Sequence, residues 1–148
     1  MLLKRDRALM AVDIVLDVAF HAGRTADATG AADIAERLGA QRRGIEPVLQ
    51  ALTRAGLLDS TRGPRGGYRL ARAPRAIPLI DAVDAVLDAE DAAPPAGALS
   101  GAVTAPLWAE LDATLREKLA QLTVGDLLRR ATQAGLRRPL TEPLDFAI

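Results

Sequence analysis

The residues of this chain best suited to chemistry are arginines. Eight of them lie between positions 41 and 75, against only Glu46 and Asp59. They fall in two groups. Gln41, Arg42, Arg43 and Glu46 come first, and Arg62, Arg65 and Arg69 follow around the glycine- and proline-rich stretch Gly63-Pro64-Arg65-Gly66-Gly67. A guanidinium offers a planar fork of donors that fits a phosphate or the edge of guanine, and a carboxylate can accept from cytosine N4. Lys4, Arg5 and Arg7 add cations at the N-terminus. The net charge of the 148 residues is zero, yet residues 1–75 carry a balance of +5 and residues 76–148 one of −5. A basic front joined to an acidic back is the asymmetry of a molecule that meets a polyanion on one face.

Other chemistries find little support. The chain has no cysteine, which removes disulfides, thiolate metal sites and thiol nucleophiles. There is no histidine–carboxylate–nucleophile set and no dinucleotide fingerprint. No Gly-Lys-Ser/Thr follows the glycines at 63, 66 and 67, so they are not a phosphate loop. Asp81, Asp84 and Asp88 read as the solvated face of a helix. His21 is the one histidine, and at the end of a helix it is expected to partner that terminus rather than a metal. Asp13 and Asp17 interrupt the first apolar stretch, which argues against a signal peptide, and no apolar run reaches the roughly 20 residues of a membrane span. The expectation is a cytoplasmic protein that is neither an enzyme nor a membrane protein and carries no metal or other cofactor.

The elements that must carry the arginines follow from periodicity and punctuation. A helix is predicted from about Arg5 to His21, with Val12, Val15, Leu16 and Ala19 inward, Asp13 and Asp17 on the other face, and Gly23 as its stop. A short helix follows over Ala31–Leu38, ended by Gly39. A second then places Ile45, Val48, Leu49 and Leu52 inward and stops at Gly56. Two short helices joined by a glycine turn make a helix-turn-helix. Leu57–Arg62 and Tyr68–Ala71, flanking the Gly/Pro turn, make a β-hairpin, here a wing. Pro78 opens a further helix with Leu79, Ile80, Val83, Val86 and Leu87 inward. The predicted fold is mainly α with a small β-hairpin wing. Residues 1–88 form a winged helix-turn-helix domain and 89–104 an Ala/Pro-rich loop. Residues 105–135 form a long helix, capped by Thr104, and a short one opened by the capping box Thr123-x-x-Asp126. Residues 136–148 are a tail. Trp108, Leu111, Leu115, Leu119 and Leu122 run along the long helix at near-heptad spacing. Such a stripe can enter the chain's own core or pair with a second copy, and the preceding loop makes dimerisation the expectation.

The run Ile34-Ala35-Glu36, Gly39, Ile45-Glu46, Arg54-Ala55-Gly56-Leu57, Ser60, Arg62-Gly63-Pro64, Gly66-Gly67-Tyr68, Leu70-Ala71 resembles the Rrf2 family of bacterial winged-helix regulators, also known as the IscR/NsrR family. Arg-Gly-Pro-x-Gly-Gly-Tyr is the most specific part. The resemblance resumes at Leu107-Trp108 and at Leu122-Thr123-Val124-x-Asp126-Leu127, so it spans most of the chain outside 89–104. It implies a homodimer that binds a dyad operator in double-stranded DNA, usually as a repressor, with the long helix at the dimer interface. It also implies that Glu46 discriminates bases and that Arg62 enters the minor groove. Many relatives hold an iron–sulfur cluster through three cysteines before the long helix, and at least one adds a histidine three residues before the tryptophan. This chain has no cysteine and has Ala105 at that histidine position, so a cluster held in the family manner is excluded.

Several roles stay open at the level of sequence. Arg42 and Arg43 can contact bases or phosphates, and Glu46 can read a base or complement the helix N-terminus. Arg65, Arg69, Lys4 and Arg5 are candidate DNA contacts. Gly44 and Pro47 are unfavourable inside a recognition helix, and the family usually has a large aromatic where Gly44 stands. Either the helix starts near Ile45 or its start is kinked. Two alternative functions follow. One is a winged-helix module that binds a protein rather than DNA. The other is a regulator that senses a small-molecule effector in an apolar pocket near Leu99, Val103 and Leu107.

Overall fold

The computed structural model describes residues 5–22, 27–87 and 96–139. Helix α1 spans Arg5–His21, α2 Ala31–Leu38 and α3 Arg42–Arg54. Strands β1 (Leu58–Thr61) and β2 (Gly67–Leu70) pair antiparallel, with Leu58 opposite Leu70 and Thr61 opposite Gly67. A 3₁₀ turn at Pro74–Ala76 leads into α4 (Leu79–Val86), and the long α5 (Ala105–Gln121) and shorter α6 (Val124–Gln133) complete the order. This is the helical fold with a two-stranded wing that the sequence predicts.

The core sits around α1. Ala11, Ile14, Val15, Val18 and Ala19 are buried with Ile34, Ile45, Leu49, Leu52 and Ile77. The buried face of α1 is wider than the single stripe predicted, because α2, α3, α4 and α6 all pack on it. Asp17 is a correction to that prediction: it is buried rather than turned to water, and it is neutralised by Arg37 of α2. Asp13 is partly buried too, and burial raises its carboxyl above the usual range.

The helix-turn-helix forms as its punctuation requires. Gly39 takes φ 63° and closes α2, and its amide donates back to the Ala35 and Glu36 carbonyls. Helix α3 begins at Arg42, three residues before the alternative start at Ile45, and contains both Gly44 and Pro47. Burial of Ile45, Val48, Leu49 and Leu52 on one face outweighs the local cost of the two poor helix formers.

Two predictions about the later half need revision. Thr104 is not a cap. Its backbone is helical, its hydroxyl donates to the Ser100 carbonyl, and a π-helical turn over Ser100–Thr104 runs directly into α5. Residues 98–104, read from sequence as loop, are therefore helical. The Ala105 amide reaches back five residues to the Ser100 carbonyl, and Pro106, which follows, has no amide to donate. Asp81 and Asp84 are not merely solvated. Arg72 lies 3.4 Å from Asp81, and Arg116 of α5 clasps Asp84 through two bonds of 2.8 and 3.0 Å, a contact that raises the Arg116 guanidinium above its usual range. The end of α5 is further tied by a two-bond bridge, Leu79 N–H to Leu122 and Val124 N–H to Ile77.

Candidate nucleic-acid interface

Helix α3 presents its polar residues at its N-terminal end. Gln41, Arg42, Arg43, Gly44, Glu46 and Gln50 are exposed, while the opposite face is core. No side chain caps the helix and no acid lies in its first turn, so its leading amides remain available to an anion. Glu46 lies beyond the first turn. Arg42 Nε is 3.2 Å from Glu46 Oε1, so the carboxylate is matched by a neighbouring cation rather than by the helix terminus. A side chain at position 44 would meet nothing within 4 Å. Position 44 is thus an open, outward one.

The wing follows at once. Gly56 takes φ 74° and turns the chain from α3 into β1. At the tip, the Gly66 amide donates to Gly63 at 2.8 Å, and a Cβ on Gly66 would stand 2.5 Å from the Thr61 carbonyl oxygen, so only glycine fits. Arg62 and Arg65 are exposed on this tip. Arg69 is exposed on β2 but stands away from the tip. With Arg72 and Arg138 it borders a cleft of about 490 Å³ between the end of α1 and the root of the wing. Lys4 and the side chain of Arg5 lie outside the described residues. Arg7 is exposed.

The stripe on α5 divides. Leu119 and Leu122 pack against the chain's own core, and Leu115 is half-buried. Leu107, Trp108 and Leu111 remain 46, 49 and 41% exposed. Leu99 and Val103, expected to line a pocket, stand exposed on the same helical stretch.

Sequence reading missed one cluster. Arg37 Nε donates to Asp17 Oδ1 at 3.0 Å, and its Nη2 donates both to Asp17 Oδ2 at 2.7 Å and to Thr29 Oγ1 at 2.8 Å. The bond to Asp17 raises the guanidinium above its usual range. His21 joins the same group. Its Nδ1 lies 2.9 Å from the Asp17 carbonyl and 3.2 Å from Asp17 Oδ1, which fits the expected partner at a helix end. The signal available was Asp17 itself, an acid four residues before the histidine near the end of the helix.

A helix-turn-helix with an exposed basic recognition helix, followed directly by an arginine-tipped hairpin, defines a winged helix-turn-helix DNA-binding regulator. Comparison with known proteins gives the particular family. The model of the Rrf2 family, described as an iron-dependent transcriptional regulator, matches residues 5–130. The chain is 37% identical over 123 residues to the HTH-type transcriptional regulator IscR of Aliivibrio salmonicida, covering 80% of this chain and 72% of that one. Among solved structures it is similar to T. potens IscR, with TM-score 0.71, 28% identity and 90% of each chain covered. It is also similar to CymR, the global cysteine regulator of B. subtilis, with TM-score 0.69, 26% identity, and 88% of this chain and 98% of that one covered. The chain belongs to the Rrf2 family and is a bacterial transcriptional regulator of the IscR type.

The iron that the family description implies does not fit the residues present. The chain has no cysteine, and no group of three His, Cys, Asp or Glu among the described residues could hold a metal. None of the described helices is long and apolar enough to cross a membrane.

Proposed function

We propose that this chain is a homodimeric repressor that binds a dyad-symmetric operator and works without an iron–sulfur cluster. Gln41, Arg42, Arg43 and Glu46 read base edges in the major groove, and Arg62 enters the flanking minor groove. Arg65, Arg69, Lys4 and Arg5 grip phosphates. Dimerisation runs along α5, with Trp108 and Leu111 at its centre and Leu115 beside them, while Leu119 and Leu122 anchor the helix to its own domain. The observation that carries the reading is the exposure of Leu107, Trp108 and Leu111 on a helix whose other end is fixed to the domain. A tryptophan and two leucines left half in water mark a surface that a partner covers. Closed two-fold pairing would present two recognition helices to one duplex.

The test is selection of bound duplexes from a random library by the purified protein at two salt concentrations, with light scattering for mass. The expected result is a dyad motif with half-sites about one helical turn apart. Affinity should fall steeply with salt as the arginines displace counterions. Salt-sensitive binding with no motif would remove the operator reading, and a monomeric mass would remove the dimer.

A further inference from the structure

We propose that Arg37 is a positioning residue for the wing. Through Asp17 and Thr29 it ties the returning strand of the hairpin to the helical core, and so sets where Arg62 and Arg65 stand relative to α3. The proposal rests on the DNA-binding reading above. It deepens that reading by naming a residue that acts on DNA without touching it.

The geometry begins at the wing. Two four-residue strands joined by a tight turn are marginal by themselves. This hairpin gains a third partner. Thr29, just before α2, exchanges two backbone bonds with Tyr68, Thr29 N–H to Tyr68 at 2.9 Å and Tyr68 N–H to Thr29 at 2.8 Å. The strands approach so closely that a Cβ on Gly67 would lie 2.5 Å from the Thr29 carbonyl oxygen. Gly67 adjoins Gly66 and Arg65, so whatever holds Thr29 holds the base of the wing tip.

A one-residue bridge needs an anchor, and Arg37 supplies it. One guanidinium nitrogen serves Thr29 Oγ1 and Asp17 Oδ2 together, and Nε completes the fork on Asp17. The Asp17 side chain is only 6% exposed. Two parallel donations onto one buried carboxylate leave the guanidinium a single orientation, and so fix it in turn. Asp17 belongs to α1, on which α2, α3 and α4 all pack. A rigid path therefore runs from the core helix through Arg37 and Thr29 to Gly67 and the tip. Lysine, with a single nitrogen, would not reproduce the fork.

Two measurements test this on the full chain. The first is amide hydrogen exchange of the free protein. In Arg37→Gln, and more mildly in Thr29→Val, which leaves the Asp17–Arg37 pair intact, the Thr29 and Tyr68 amides are expected to exchange about tenfold or more faster while the α3 core amides keep their protection. The second is a double-mutant cycle on a selected duplex. Arg62→Ala is expected to weaken binding about tenfold in the wild-type chain and less than about threefold in either variant, because a displaced arginine has little left to lose. An equal Arg62→Ala cost in all backgrounds would make Arg37 a purely structural residue and overturn the proposal, as would unchanged exchange at Thr29 and Tyr68. Failure of the wild-type chain to bind any duplex would overturn the DNA reading, and with it Arg37's part in it, whereas the exchange result would still stand for the anchoring of the wing.

Discussion

In α3 four large aliphatic side chains, Ile45, Val48, Leu49 and Leu52, are all buried; α5 is four residues longer and buries none of its residues. Both helices carry large apolar side chains at helical spacing among charged ones. The difference is what surrounds them. Helix α3 is enclosed by α1, α2, α4 and β1, whereas α5 touches α4 through its C-terminal half and the Arg116–Asp84 clasp and leaves its N-terminal half bare. One region is a finished core. The other leaves Leu107, Trp108 and Leu111 half in water. The lesson is that an apolar stripe fixes where a helix is sticky, while its packing environment decides what it sticks to.

The sharpest way to break this comparison is to charge the bare half. Trp108→Asp with Leu111→Glu is expected to give a monomer by light scattering, with circular dichroism unchanged because neither residue supports the chain's own core. Operator affinity should fall about 100-fold or more as two linked half-site contacts become one. Loss of helical signal instead would place these residues in the domain's own packing. The converse change is Leu52→Ala in the finished core. It is expected to cost about 2–5 kcal/mol in denaturant unfolding, since the site is fully enclosed and a cavity must form. A cost near zero would mean that α3 is not held as described.

The contrast also explains what could be read from sequence. Helices α1 to α4 and the wing were legible because periodicity and glycine punctuation are local signals, and Gly39 and Gly56 fall at the turns they predict. The α3 start was ambiguous because Gly44 and Pro47 argue against helix locally, and only tertiary burial of Ile45 and Val48 decides it. The split of the α5 stripe was illegible, since Leu111 and Leu119 look alike until α4 lies beside one of them. The Asp17–Arg37 pair joins residues 20 positions apart, so no spacing rule reaches it. Thr104 resembles a cap because Pro106 follows it, and the π turn before the proline has no sequence signature of its own. Of the candidate DNA contacts, the clustering on α3 and the wing tip was legible. The separation of Arg69 from Arg62 and Arg65 was not, because it depends on how the end of α1 and Arg138 close around the wing root.

Smaller changes sharpen the comparison further. Gly44 is helical and its missing Cβ faces open space, so Gly44→Ala should stabilise the fold by about 0.5–1 kcal/mol, read as a rise in melting temperature. A loss of stability would mean that the helix is distorted at its start. Arg116→Ala should cost at most about 1 kcal/mol, since the clasp on Asp84 is exposed. It should loosen the dimer more than the monomeric fold if α5 must be held at a fixed angle to pair.

The smallest effect concerns the joint between the two regions. Helix α6 opens with a complete capping box. Asp126 N–H donates to Thr123 Oγ1, and Thr123 N–H donates to Asp126 Oδ2 at 2.8 Å, with Arg129 also bonded to the same carboxylate. The backbone bond from Thr123 is the main cause that holds the Asp126 carboxyl below its ordinary range. A depressed acid contributes stability that is present above its unfolded value, near 3.8, and is lost as pH falls through the lower folded value. The contribution is therefore whole at neutral pH and is lost only below the ordinary carboxylate range. Asp126→Asn should lower the melting temperature slightly at pH 7, and the difference should shrink as the pH falls through the lowered folded value, so the two curves converge on acidification. Because Thr123 is bridged to Pro78 at the start of α4, weakening this cap should also free the end of α5, and hydrogen exchange at Val124 and Leu79 should rise together. Exchange rising at Val124 alone would show that the cap serves α6 by itself and that α5 is held to the domain by its leucines and Arg116.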